Sequence, residues 1–263
     1  MLPNEDNKMH FSALKKIGIT PLDYALGCQE KRDDTVAFRI GRAVHALWLQ
    51  DIMPVLFEGR RVANAVEKHI EALGLSVDPS DVLSPAEYAT VMHCVKALRA
   101  SKLAMDTLER CPNRETSHEW TIDIDGVVVP CAGRVDACGP RDLLELKTTQ
   151  CARPAKFLLD AQKFAYHAQM AWYDIALGTQ FLEHCTAWRL QTIVAVETKP
   201  PYHVTVIELA PLRIDQGYNL FMEWLAKWKE CTESGVWPSY SQEIVQWDAE
   251  VIYTQENEDE NDN

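Results

Sequence analysis

The stretch 131–149, CAGRVDACGPRDLLELKTT, leaves the chain few ways to fold. Gly139-Pro140 punctuates an otherwise β-rich run, so the pattern predicts two strands, 127–138 and 142–148, joined by a tight turn. A hairpin centred between Pro140 and Arg141 sets Asp136 directly opposite Glu145, and cross-strand neighbours of that kind have Cβ atoms about 5 Å apart. Facing carboxylates repel unless a proton or a cation lies between them, and hard divalent ions bind through one or two carboxylates plus substrate phosphate. Lys147 shares the strand face of Glu145, because side chains two apart point the same way. Two acids and a lysine suit phosphodiester hydrolysis: a metal neutralises the phosphate and activates water, and an ammonium orients that water or stabilises the developing charge. The same residues also fit an ordinary ion pair on a solvated strand. Against that, Leu143, Leu144 and Leu146 make this strand mostly apolar, where charged side chains need partners.

The surrounding chain reads as mixed α and β. A short amphipathic segment, 11–17, is followed by a helix start at Thr20-Pro21. Ser12 and Lys15 in that segment are candidates for a phosphate contact, with the wet side of a packing helix as the plainer reading. A buried helix is expected from Arg39, and on it Gly41, His45 and Trp48 or Leu49 share a face. His45 is either a satisfied core histidine or, if that face meets the hairpin, the imidazole that completes a metal site. Ser84-Pro85-Ala86-Glu87 is a capping box with proline at the first helical position, predicting a helix to about Leu108 with Val91, Val95, Leu98 and Leu103 as core. From His118 the period becomes two, and Asp125-Gly126 predicts a hairpin turn between 118–124 and 127–138, so three strands form a meander. A long helix is predicted over 154–177, on which Gln162, Tyr166, Gln169 and Tyr173 fall on one face. That polar-aromatic stripe faces a catalytic cleft, a bound strand or solvent; Tyr can stack on bases and Gln can donate and accept. Two further strands, 186–197 and 203–208, precede a closing amphipathic helix, 211–233, with Tyr218, Phe221, Leu225 and Trp228 as its buried stripe.

Composition bounds what this scaffold does. With 263 residues, 47% of them hydrophobic, the chain is long enough for one large α/β domain. The expectation is residues 1–9 as a disordered start, 10–250 as a single domain and 251–263 as a disordered acidic tail carrying five acids and no base. No apolar signal core or membrane-length segment is seen, and the eight cysteines form no C-x-x-C pair; a cytoplasmic protein with reduced thiols and no membrane partner is expected. The net charge of −13 argues against strong nonspecific coating of DNA but not against a local groove. No glycine-rich phosphate loop or G-x-S-x-G is present, so kinase, dinucleotide-binding and serine-hydrolase readings have no support.

Taken together, Gly41 to His45 on a helix, Val135-Asp136, Glu145-Leu146-Lys147, and Gln169 to Tyr173 on the following helix resemble the PD-(D/E)xK nuclease superfamily. Within it the chain looks most like the RecB-type and phage exonuclease branch, above all the nuclease domain of RecE (exonuclease VIII). The segments S-x-L-K-x-I at Ser12, Y-H-x-Q-x-x-x-Y at Tyr166 and W-P at Trp237 add to the likeness, which spans roughly 10 to 240. Arg134-Val135 stands where the family name has a proline before the aspartate.

The resemblance implies a central mixed sheet flanked by helices, restriction-endonuclease-like, with an antiparallel catalytic hairpin. It implies Mg²⁺ or Mn²⁺ held by His45, Asp136, Glu145 and the backbone carbonyl of Leu146. Lys147 would position or activate water, and Gln169 and Tyr173 would steady the site or the substrate strand. The implied activity is exonucleolytic digestion of linear double-stranded DNA from 5′ ends, leaving 3′ single strands for a RecT-like annealing partner. A homo-oligomeric ring is implied as well, and Arg42 and Lys163 join Gln162 and Tyr166 as candidate DNA contacts. The competing readings are a RecB-like or Cas4-like nuclease acting on single strands, the latter disfavoured by the missing cysteine cluster, and a non-catalytic DNA-handling module docked through its acidic tail.

Overall fold

The structure, a computed structural model, describes residues 6–27, 34–59, 64–181 and 189–240. In chain order these form β1 (Met9–His10), α1 (Phe11–Leu14), α2 (Pro21–Gly27), α3 (Val36–Gln50), α4 (Ala65–Ala72), α5 (Pro85–Ala100), α6 (Lys102–Glu109), β2 (Asn113–Ile124), β3 (Val127–Cys138), β4 (Asp142–Thr149), α7 (Pro154–Lys163), α8 (Tyr166–Phe181), β5 (Leu190–Glu197), β6 (Val204–Glu208) and α9 (Pro211–Ser234). The strands make one mixed sheet in the order β1-β3-β4-β5-β6, with β2 hydrogen-bonded to β3. β1 runs parallel to β3 and β4 parallel to β5, whereas β2–β3, β3–β4 and β5–β6 are antiparallel.

Local chemistry accounts for the sheet. Trp120, Ile122 and Ile124 point inward and alternate with exposed Glu119, Thr121 and Asp123, the period of a strand with one wet face. Asp125 and Gly126 both take positive φ (48° and 81°), as a two-residue hairpin turn requires. β4 and β5 have no such alternation, because helices cover both faces: Leu143 to Leu146 and Thr192 to Val196 are all buried. On one face Trp172, Phe221 and Leu225 from α8 and α9 pack on Trp120, Leu143 and Ile193. On the other, Val44, Leu47, Val91, Val95 and Leu98 from α3 and α5 pack on Ala137, Leu144, Leu146 and Val194.

Several predicted boundaries shift. The Ser84 capping box is present in both halves, but the helix it starts ends at Ala100, where Ser101 turns to an extended ψ of 108° and caps α6. Leu103 accordingly faces solvent (67% exposed) rather than the core. The predicted long helix over 154–177 is two helices, broken at Ala165, whose φ of 55° is incompatible with helix continuation. Gln162 therefore lies on a different helix from Tyr166, Gln169 and Tyr173. α3 starts three residues earlier than expected, because Thr35 accepts a hydrogen bond from the Phe38 N–H. Tyr218 is 42% exposed, and Ile214 and Gly217 take its place in the buried stripe of α9. The predicted strand over 186–197 is described only from Arg189, and the acidic tail lies outside the described residues. Each described cysteine is a free thiol, and among the described residues no helix is long and apolar enough to cross a membrane.

Candidate metal centre and active site

The β3–β4 hairpin turns where the sequence pattern puts it. Cys138 pairs with Leu143 and Ala137 with Leu144, so the next register position sets Asp136 opposite Glu145. The turn needs a glycine for a reason outside the hairpin: a Cβ on Gly139 would lie 2.0 Å from the Arg110 carbonyl oxygen. The ladder stops at Ala137–Leu144. Beyond it β4 continues against β5 and β3 against β2 and β1. In that gap the Leu146 N–H donates to Asp136 Oδ2 at 2.7 Å, a side chain taking the place of a strand partner. A residue in an extended strand directs its N–H and C=O to the same edge. The Leu146 carbonyl therefore faces the gap as well.

α3 carries His45 into this gap from one face of the sheet. Close seating of that helix uses Gly41, where a Cβ would already be in contact with Thr148 Oγ1 at 3.4 Å. His45 Nδ1 lies 3.4 Å from Asp136 Oδ1 and 3.6 Å from Glu115 Oε1. Glu115 is a member of the cluster that the sequence reading missed. It falls between the pairs Arg114–Ala137 and Thr116–Val135, opposite Asp136, and its φ of 50° interrupts the β2–β3 ladder there. Its Oε2 is 2.8 Å from Arg134 Nε. A lone glutamate in the polar run NRETS carries no motif, so only the three-dimensional register exposes it. Glu119, four residues further along β2, is exposed and paired with Lys8.

α8 completes the site from the opposite face. Lys147 Nζ donates to Glu145 Oε1 (2.5 Å) and Gln169 Oε1 (3.0 Å), and Gln169 Nε2 donates to Glu145 Oε1 (2.8 Å) and reaches the Tyr173 hydroxyl (3.4 Å). The Tyr166 ring lies under the Lys147 ammonium, 4.6 Å from Nζ to the ring centre. Tyr173 comes close because Gly133 makes room: a Cβ there would meet its ring at 2.8 Å. The structure thus brings together His45, Asp136, Glu145, Leu146, Lys147, Tyr166, Gln169 and Tyr173, with Glu115 added.

Burial and charge set the protonation states. Burial, with the Asp136 carboxylate second, pushes Glu145 up to about 7. Burial also opposes ionisation of Asp136, but His45, Lys147 and the Leu146 amide outweigh it and hold this carboxyl below the usual range. For His45 desolvation is outweighed by Asp136 and Glu115, which raise the imidazole to about 10. Lys147 is likewise desolvated, yet Glu145 and then Asp136 lift it above the ordinary lysine value, so it is a cation at neutral pH.

The remaining candidate DNA contacts lie elsewhere. Ser12 is half-buried on α1 and Lys15 is exposed just past it. Arg42 is engaged by Asp34 (3.0 Å), Asp81 (2.6 Å) and the Ser80 carbonyl, so its guanidinium seats α3 on the loop before α5. Gln162 and Lys163 are exposed at the end of α7, where Gln162 Oε1 accepts from Arg213 at 3.2 Å. A cavity of about 410 Å³ adjoins Tyr166 and includes Gln162, His167 and Arg213 in its wall, but not His45, Glu115, Asp136 or Glu145.

The donor set fits a hard divalent cation. His45, Glu115 and Asp136 offer one ligand atom each within 4.8 Å of one another. Glu145 Oε2 is fully buried and accepts no hydrogen bond, a costly state for a carboxylate oxygen unless an ion completes it. Oxygens with one imidazole are the donors such ions take.

Residues 11–249 match a family described as a PDDEXK-like domain of unknown function, DUF3799. Among solved structures, a "Putative exonuclease" from Eubacterium rectale is similar over 94% of both chains, with a TM-score of 0.60 and 9% sequence identity, a likeness of fold. A second, SSO0001, aligns over 81% of this chain and 84% of its own at 13% identity with a TM-score of 0.29. No curated protein matches the sequence.

Proposed function

Because the chain belongs to the PDDEXK-like family DUF3799, we propose that it is a divalent-metal-dependent nuclease, and specifically an exodeoxyribonuclease that degrades linear duplex DNA. The observation that carries this reading is that Asp136 stands opposite Glu145 one register step beyond the last ladder pair of the hairpin, with Lys147 bonded to Glu145. Asp136, Glu145, His45 and the Leu146 carbonyl, with Glu115 beside His45 and Asp136, would hold Mg²⁺ or Mn²⁺. Bound there, the cation would neutralise charge on the scissile phosphate and lower the pKa of water.

The chain's own residues supply the rest. Lys147 is protonated, so it acts as a donor that orients the attacking water and stabilises charge on the phosphate rather than as a resting base. Gln169 spends both ends of its amide on the Lys147–Glu145 pair and fixes its geometry from α8. Tyr173 buttresses Gln169, and the Tyr166 face keeps the ammonium desolvated and aimed. Digestion from 5′ ends, a RecT-like annealing partner and a ring assembly extend the same reading, supported by the sequence resemblance.

The test incubates end-labelled linear and closed circular duplex with purified protein, with and without Mg²⁺, beside a Lys147→Ala variant. Loss of linear DNA alone, requiring metal and Lys147, is expected. Cutting of circles would favour an endonuclease, and no turnover in any divalent metal would remove the reading.

A further inference from the structure

Resting on the nuclease reading of the Asp136–Glu145 site, we infer that Arg134 is the residue that grips a phosphate of the substrate strand beside the one being cut, and that Glu115 is the positioning residue that aims it. Arg134 precedes Asp136 by two on β3, so the two side chains leave the strand on the same face. Its side chain is 68% exposed, whereas the Glu115 carboxylate that its Nε faces at 2.8 Å is only 5% exposed; the contact is an ion pair, and Glu115 Oε2 accepts no hydrogen bond. One edge of the guanidinium is thereby anchored against a buried acid. Among the described residues Glu115 is its only charged partner, and with the side chain 68% exposed Nη1 and Nη2 are open to a ligand beside the His45–Glu115–Asp136 cluster. A planar fork with two open donors matches two oxygens of a phosphate, which a lysine cannot do.

The neighbouring cations are committed elsewhere. Arg42 is ion-paired with Asp34 and Asp81 and donates to Ser80. Arg39 is held by Glu87 at 2.6 Å and by Asp34 at 2.7 Å. Lys147 is spent within the catalytic cluster on Glu145 and Gln169. A polyanion arriving at the gap between β3 and β4 therefore meets Arg134 as the open guanidinium next to Asp136. The anchor also explains the geometry of Glu115. Its carboxylate reaches His45 with one oxygen and Arg134 with the other, so the phosphate grip is referenced to the same acid that touches the metal cluster.

The test uses the full chain and a short fluorescent DNA duplex, with Ca²⁺ replacing Mg²⁺ so that binding is read without turnover. For Arg134→Ala the expected loss of affinity is about tenfold or more, and the slope of log K against log salt becomes shallower by about 0.9, one phosphate contact. Arg134→Lys keeps the slope but recovers only part of the affinity. Glu115→Gln weakens binding with the slope intact, and adds little once Arg134 is alanine. In Mg²⁺, Arg134→Ala raises KM more than it lowers kcat. Wild-type slope and affinity in a folded Arg134→Ala protein would overturn the inference, because a mere counter-ion of Glu115 contacts no phosphate. If that variant does not fold, the double variant Glu115→Gln/Arg134→Gln removes both charges of the pair together, and an unchanged slope there overturns it equally. A wild-type protein that cuts no DNA would instead sink the nuclease reading, and the salt slope would still report whether Arg134 holds phosphate.

Discussion

Glu145→Gln is predicted to stabilise the metal-free protein at alkaline pH. In the fold this carboxyl titrates near 7 instead of its ordinary 4.5. A carboxyl whose folded pKa lies above its unfolded pKa binds its proton more tightly when folded, so stability is full below 4.5 and falls as pH rises through 7. At about 1.4 kcal/mol per pKa unit, the wild type loses roughly 3 kcal/mol across that window through Glu145. Glutamine mimics the protonated acid and keeps the shape, so the variant escapes that loss. Urea denaturation in EDTA at pH 4.5 and pH 8 measures it: the stability difference between variant and wild type should move in the variant's favour by roughly 3 kcal/mol between the two. Saturating Mg²⁺ then closes most of that gap, because a ligand at 100 times its Kd stabilises the wild type by about 2.7 kcal/mol and the variant has lost a ligand. A difference that stays flat with pH, or a variant that gains as much from Mg²⁺ as the wild type, would show that Glu145 is neither strained by burial nor a ligand.

Other expectations follow from single contacts. Gln169→Ala should lower kcat by about a hundredfold while leaving DNA binding in Ca²⁺ nearly intact, since the amide only positions Lys147 and Glu145. Gly139→Ala must move a backbone carbonyl now 2.0 Å from where its Cβ would sit; a loss of about 3 kcal/mol or more in thermal or urea unfolding is expected, together with reduced activity as the hairpin register shifts. Ser84→Ala removes the capping box of α5 and should cost about 1 kcal/mol by urea titration, without changing kcat.

The hairpin and its acid pair were readable because proline and glycine fix where the chain turns, and a two-residue period then dictates what faces what. His45 was readable as a helical residue in search of a partner, but only the seating of Gly41 on Thr148 says that it meets the strand. The break at Ala165 was hidden, because neither Phe164 nor Ala165 belongs to the residues that usually stop a helix, and tertiary packing imposes the left-handed turn. Ser101 hid another break, since a serine inside a helical pattern reads the same whether it lies mid-helix or caps the next one. Glu115 and Arg134 were invisible as a pair: they are nineteen positions apart on two strands, and their contact depends on a local departure from the ladder at Glu115.

Where β3 and β4 part company, the carboxylate of Asp136 stands in for a missing rung by holding the Leu146 amide. Alanine at this position would inflict two injuries at once, unfastening the mouth of the hairpin and deleting a donor to the cation. An inactive Asp136→Ala protein would therefore say little about chemistry. Asparagine retains an oxygen for the amide, and comparing the two separates the brace from the ligand.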